Sequence, residues 1–172
     1  MAIYALGDRV PTIDPTAYVH PEATIIGDVT IGAEATIWPQ AVLRGDYGTI
    51  SIGARTSIQD GTVVHATEFA PTIVGEDCVV GHLAHLEGCI IEDKSLVGSG
   101  SVVLHFARVS SGATVGANAV VPNNTIIPTG ALAIGVPVVL REGASNQLVI
   151  EISAQNYVDN GRRYATELRR ID

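Results

Sequence analysis

The sequence predicts an all-β solenoid: a parallel β-helix of hexapeptide repeats with a C-terminal α-helix. Three observations point to it. Branched aliphatic residues recur at every sixth position from Ile13 through Val19, Ile25, Ile31 and Ile37 to Leu43, and again from Val97 through Val103, Val109, Val115 and Val121 to Ile127. Small residues stand four places further on, at Ala17, Ala23, Val29, Ala35 and Ala41, then at Ser101, Ala107, Ala113, Ala119, Thr125 and Ala131. Aromatic residues are only 5% of a chain that is 47% hydrophobic, so the core must be narrow or built of thin layers. A six-residue period marks a parallel β-helix, whereas an amphipathic helix repeats at three and four.

Each element follows from that pattern. The aliphatic residue of each hexad points inward from a short strand, and the small residue fits the crowded corner. Gly27, Gly32, Gly53, Gly98, Gly116 and Asn118 lie near corners, where they are expected to relieve backbone strain. The phase shifts after Leu43, resumes at Ile52, Ile58 and Val64, shifts again, and resumes at Val74, Val80 and Leu86 before a last shift. The ten-residue step from Val64 to Val74 implies a four-residue insertion around residues 66–71. Three hexads make one coil of a triangular prism. The repeat closes with PTGALAIGVPVVL, after which residues 145–172 read as a helix. Ser145 is the expected N-cap, and Leu148, Ile152, Tyr157, Tyr164 and Leu168 the expected apolar stripe. Residues 1–141 thus form the β-helix, and residues 142–172 carry a helix that packs on it as part of the same domain.

Composition narrows the partners. A formal net charge of −8 disfavours nucleic acid and anionic membranes. No apolar run approaches the roughly 18–20 residues that span a bilayer, and MAIYALGDRV does not read as a signal peptide. The two cysteines, Cys78 and Cys89, are too few for a disulfide framework or a zinc ribbon and read as structural thiols. A cytoplasmic location fits these features.

Counting hexads from 64 to 86 gives one full coil, so Val64 and Leu86 stack in adjacent layers, about 4.8 Å apart as neighbouring strands are. His65 and Glu87 then point outward one above the other, close enough to share a metal ion. His82 is second after Val80 and sits near a different corner, so it diverges from that pair within one chain. In a trimer, His82 of one copy meets the His65 and Glu87 of the next. Two histidines and a carboxylate with an open position suit catalytic Zn²⁺ or Fe²⁺. The plain alternative is that all of these are solvated side chains on a repetitive scaffold.

Residues 43–68, LRGDYGTISIGARTSIQDGTVVHATE, and residues 73–103, with VVGHLAHLEGC, resemble the γ-class carbonic anhydrase family of left-handed β-helix trimers; QNYV at residues 155–158 extends the likeness into the helix. The resemblance implies a left-handed solenoid, a homotrimer, and Zn²⁺ (Fe²⁺ or Co²⁺ in some members) held by three histidines at a subunit interface. His65 and His82 match two of them. Glu87 stands where the third belongs, which adds negative charge and should raise the pKa of bound water. His85, two residues earlier and placed on the preceding hexad, is a rival third ligand, and a degenerate site without metal is a further option. The resemblance also implies an Arg44–Asp46 interface salt bridge, Gln59 hydrogen-bonding bound water, Asp60 ordering Arg44 across the interface, Glu68 shuttling protons, and Tyr157 approaching the site. Each of these residues also has a structural reading. Tyr47 replaces a second active-site glutamate. His20 and His105 have no role and read as surface or interface residues.

The activity implied is a carbonic anhydrase-like lyase reaction, the reversible hydration of CO₂ to bicarbonate, weakened by Glu87. Two other readings stay open. One is a trimer that binds a small ligand without catalysis. The other is an acyl-CoA-dependent acyltransferase, disfavoured by the short insertions.

Overall fold

The computed structural model describes residues 2–172; Met1, the first residue of the expected solenoid span, lies outside the described residues. The chain is a left-handed parallel β-helix of about seven coils with one C-terminal helix. One face of the prism, here the histidine face, stacks Ala2–Tyr4, the first parts of Thr24–Ile31 and Val42–Ile52, then Val63–His65, His85–Glu87, Val102–Val103 and Val120–Val121. The second face stacks Thr12–Ile13, the later parts of the same two long strands, then Thr72–Val74, Ile90–Ile91, Arg108–Val109 and Ile126–Ile127. Because Thr24–Ile31 and Val42–Ile52 run round the corner unbroken, these two faces form one 12-stranded sheet. The third, the helix face, runs from Tyr18–Val19 to Leu132–Ile134 and is closed by the antiparallel strand Val139–Arg141.

The hexad residues form the core. Ile25, Ile37, Leu43, Ile58, Val64, Leu86, Val97, Val109 and Ile127 are each 0% exposed, with Ala35, Ala41, Ala84, Ala113 and Ala131 beside them at 0–1%. Burying one such aliphatic side chain contributes about 1.5–3 kcal/mol, and each coil contributes three.

Three expectations need correction. Gly32, Gly53, Gly98 and Gly116 do not supply left-handed backbone. That conformation is held instead at Glu34, Arg55, Asp77 and Lys94, with φ of 55–57°. At Gly53 the constraint is crowding, because a Cβ there would lie 2.4 Å from the Gly75 carbonyl of the next coil. Gly27 does match the expected role, with φ of 79° at the bend of its long strand.

The helix spans Gln147–Glu167. Its N-cap is Asn146, whose Oδ1 accepts from the Val149 amide, not Ser145, whose hydroxyl bonds the Thr114 hydroxyl on the solenoid. The stripe is also different: Ile150, Ala154, Val158 and Gly161 are buried, while Leu148, Ile152 and Leu168 are about half exposed or more. The buried residues keep helical spacing but sit on a neighbouring stripe, and the small Ala154 and Gly161 within it let the helix approach the sheet closely. Trp38 is the centre of the dock, with its ring 5.6 Å from Tyr18, 5.7 Å from Tyr157 and 5.1 Å from Tyr164. Its indole N–H donates to the buried Thr36 and Ser57 hydroxyls. The Tyr18 hydroxyl is buried without a hydrogen-bond partner among the described residues. No helix among the described residues is long and apolar enough to cross a membrane.

Candidate metal centre

The strand Val63–His65 pairs in parallel with His85–Glu87, and the register sets Glu87 directly beside His65. The stacking expected from hexad counting is therefore present. His65 Nδ1 lies 2.8 Å from Glu87 Oε1. His65 Nε2 lies 3.1 Å from Asp46 Oδ1. Asp46 comes from the protruding part of Val42–Ile52, one coil below, and is ion-paired with Arg44. His85 belongs to the same strand as Glu87, two residues before it, which corrects its expected placement on the preceding hexad. Residues i and i+2 share one face of a strand, and His85 Nε2 reaches Glu87 Oε2 at 3.3 Å.

Sequence reasoning missed His105, whose Nε2 lies 3.9 Å from Glu87 Oε1. The available signal was the register: Val103 stacks on Leu86, which carries His105 to the end of the histidine face one coil above. Gly88 keeps that approach open, since a Cβ there would meet His105 Cδ2 at 2.8 Å. Glu87 is thus an anion surrounded by three imidazoles. The His65 bond, the largest influence, holds its carboxyl below the usual carboxylate range. Burial opposes this, and His85 and the electrostatic pull of His105 add to it. Burial also pushes the Asp46 carboxyl up, but the bonds from Arg44 and His65 outweigh it and hold that group low.

The opposite corner of the histidine face carries the second group. His82 Nδ1 lies 2.8 Å from Asp60 Oδ2, one coil below, with both side chains about half exposed. Within the chain Asp60 faces His82, and Arg44 pairs with Asp46. Gln59 is buried beside the hydroxyl of Tyr157. Burial and the Asp60 charge raise the pKa of that hydroxyl, while the Gln59 bond opposes them. Glu68 is exposed on the inserted loop. Cys78 and Cys89 are fully buried in the core, where burial pushes both thiols up to about 12 and removes them from ligand chemistry.

Within one chain, no three His, Cys, Asp or Glu groups among the described residues are set to hold a metal. His65 and Glu87 meet at one corner of the histidine face, and His82 stands at the other. The donor chemistry fits a divalent ion: imidazole and carboxylate are both ligands for one, and a carboxylate on His82 Nδ1 leaves Nε2 as the coordinating atom, the usual outer partner of a metal-bound histidine. One feature opposes it. Both ring nitrogens of His65 face carboxylates, and a ligand must give one of them up to present a lone pair.

No protein-family model matches the chain. The chain is 38% identical over 168 residues to "Gamma carbonic anhydrase 2, mitochondrial" of Arabidopsis thaliana, covering 93% of this chain and 60% of the relative. It is 42% identical over 130 residues to "Carnitine operon protein CaiE" of Escherichia coli K12, covering 76% of this chain and 63% of the relative. The chain spans less than two thirds of the length of these curated relatives. Among solved structures, a hexapeptide transferase family protein from Anaplasma phagocytophilum superposes with a TM-score of 0.91 at 34% identity, covering 95% of this chain and 98% of that one. A Bacillus cereus protein described as a candidate acetyltransferase superposes with a TM-score of 0.94 at 32% identity, covering 97% and 98%.

Proposed function

The chain belongs to the γ-class carbonic anhydrase-like family of hexapeptide-repeat proteins, and from that premise we propose that it is a homotrimer that hydrates CO₂ reversibly at metal sites between its subunits. The observation that carries this reading is the division of one donor set between two corners. His65 and Glu87 converge at one corner of the histidine face, and His82 is held outward by Asp60 at the other. A second copy is what completes the set. The outward side of the face between them supports burial against a copy: Val42, Val63, Val102 and Val120 are apolar and at least partly exposed.

Zn²⁺ is the ion proposed, with Fe²⁺ and Co²⁺ as the alternates, and the cytoplasm is the proposed compartment. When bound, the ion supplies Lewis acidity that lowers the pKa of water and stabilises developing negative charge. Gln59 orients the attacking oxygen from the side of the helix face. Glu68, on the exposed loop, carries the released proton to solvent. Arg44 and Asp46 hold His65 from the side opposite Glu87. The negative charge of Glu87 makes deprotonation of water harder near neutral pH, so the activity is expected to be weak.

Elemental analysis of protein purified without chelator tests the reading. It should show about one Zn²⁺, Fe²⁺ or Co²⁺ per subunit, one for each interface of a closed ring. Absence of stoichiometric metal overturns it. In a stopped-flow assay, Glu87→His should raise kcat/KM for CO₂ hydration by about tenfold or more through the loss of the anionic ligand.

The engagement of both His65 nitrogens favours a second reading, a metal-free trimer that binds a small ligand at the same interface. It becomes the better one if neither the wild type nor Glu87→His hydrates CO₂. Acyl transfer is the reading suggested by the Bacillus cereus neighbour's description, and calorimetry with millimolar coenzyme A that shows no heat removes it.

A further inference from the structure

We infer that Trp38 is a positioning residue for this site: it fixes the ring of Tyr157 and underlies the part of the solenoid that carries Gln59. The inference rests on the reading of Gln59 as a site residue. Trp38 stands in the same place on the helix face as Gln59, one coil below, because Thr36–Ile37 pairs in register with Ser57–Ile58. It is the only tryptophan in the chain and is 5% exposed.

Trp38 is fixed at both ends. On the solenoid side its indole N–H lies 3.0 Å from the Thr36 hydroxyl and 3.0 Å from the Ser57 hydroxyl. Both residues are themselves buried, at 2% and 0% exposure, so the ring orientation is set by groups with no water to turn to. On the helix side the ring meets Tyr157 edge-on, with an interplanar angle of 65°, and Tyr164 at 85°. Such edge-to-face pairs have a preferred geometry, so a fixed indole fixes its partners.

Gly161 makes the contact possible. A Cβ at this position would meet Thr36 Cγ2 at 2.6 Å, so only glycine lets the helix come down onto the indole. Tyr157, one turn before Gly161, is then placed with its hydroxyl beside Gln59 and near Asp60, the residue that holds His82. Geometry therefore joins Trp38 to Tyr157 by ring contact and to Gln59 by register, one coil above it.

The test compares Trp38→Phe, Trp38→Leu and Tyr157→Phe in the full chain. Helical circular dichroism and gel filtration first identify the variants that keep the helix and the assembly. The direct readout is nitration of Tyr157 by tetranitromethane, followed by mass spectrometry, with the exposed Tyr47 as internal standard. Trp38→Leu should speed nitration of Tyr157 relative to Tyr47 by about fivefold or more, and Trp38→Phe should restore most of the protection, since an aromatic ring can still hold an aromatic ring. The second readout is the split of kcat against KM. Trp38→Leu should lower kcat by about tenfold with metal content unchanged, and should add nothing further in the Tyr157→Phe background, because the two residues act on one path. Unchanged nitration in a folded Trp38→Leu overturns the inference, and so does a kcat loss that adds fully to that of Tyr157→Phe. A wild type without CO₂ hydration refutes the proposed activity but leaves the nitration result to decide the role of Trp38.

Discussion

Glu87 is the residue on which the chemistry turns, because it accepts from His65 and His85 at once and draws His105 close. Its place beside His65 was legible in the sequence, since strand register is a count and hexads count reliably. His105 and the Asp46 contact were not legible. Both depend on how the chain leaves the face at a corner, and corner geometry has no sixfold period. The pH dependence of stability tests the anion's role. The Glu87 carboxyl is held below its ordinary value of about 4.5. A depressed carboxyl contributes stability that is fully present above its unfolded pKa and is lost as pH falls through its folded pKa. In chelator-treated protein, the urea midpoint of the wild type should therefore fall below about pH 4.5 more steeply than that of Glu87→Gln, which has no such proton to take up. Parallel curves would show that the imidazoles around Glu87 contribute nothing to the fold.

The hexads and the helix differ as elements in how far they could be read. The solenoid strands were legible residue by residue because every inward position faces the same constraint, a narrow core closed by equal coils. The helix was legible as a helix but not in its buried face. Leu148 and Ile152 have the expected spacing, yet they are 63% and 52% exposed, while Ala154 and Gly161 are buried. The buried stripe mixes large Ile150 and Val158 with small Ala154 and Gly161, and small residues carry little hydrophobic signal in a sequence. The corners were half legible: Gly27 and Asn118 do hold positive φ, but at Gly32, Gly53, Gly98 and Gly116 the cause is the next coil and not the local φ. Gly53→Ala isolates that cause. Its new methyl group would lie 2.4 Å from the Gly75 carbonyl group, which is backbone and cannot swing away. The substitution should cost about 1–3 kcal/mol in urea unfolding, the range for overpacking a tight interior. A change near zero would mean that adjacent coils separate more easily than their packing implies.

At the scale of the whole molecule, a prism is convex, and outward side chains at two corners of one face cannot meet around one ion without bending the scaffold. The chain keeps His65 and Glu87 at one corner and His82 at the other, with no contact between the groups. The scaffold offers little freedom to bend, since Val63–His65 and His85–Glu87 are each paired with the coils above and below. The site must therefore be shared between copies or not be made at all, and mixed assemblies separate the two cases. His65→Ala removes one half of the donor set and His82→Ala the other, so neither trimer alone should hold metal. Co-expressed in equal amounts, the two variants assemble at random. An interface is intact when the subunit that presents His65 is the His82→Ala chain and its neighbour, presenting His82, is the His65→Ala chain. Each condition is met half the time, so about one interface in four should recover metal and activity in a closed ring. A site built within one chain would recover nothing, because every subunit lacks one of its ligands. Mixing trimers after assembly should also recover nothing until the subunits exchange, and the rate at which metal binding returns then measures how often the histidine face opens.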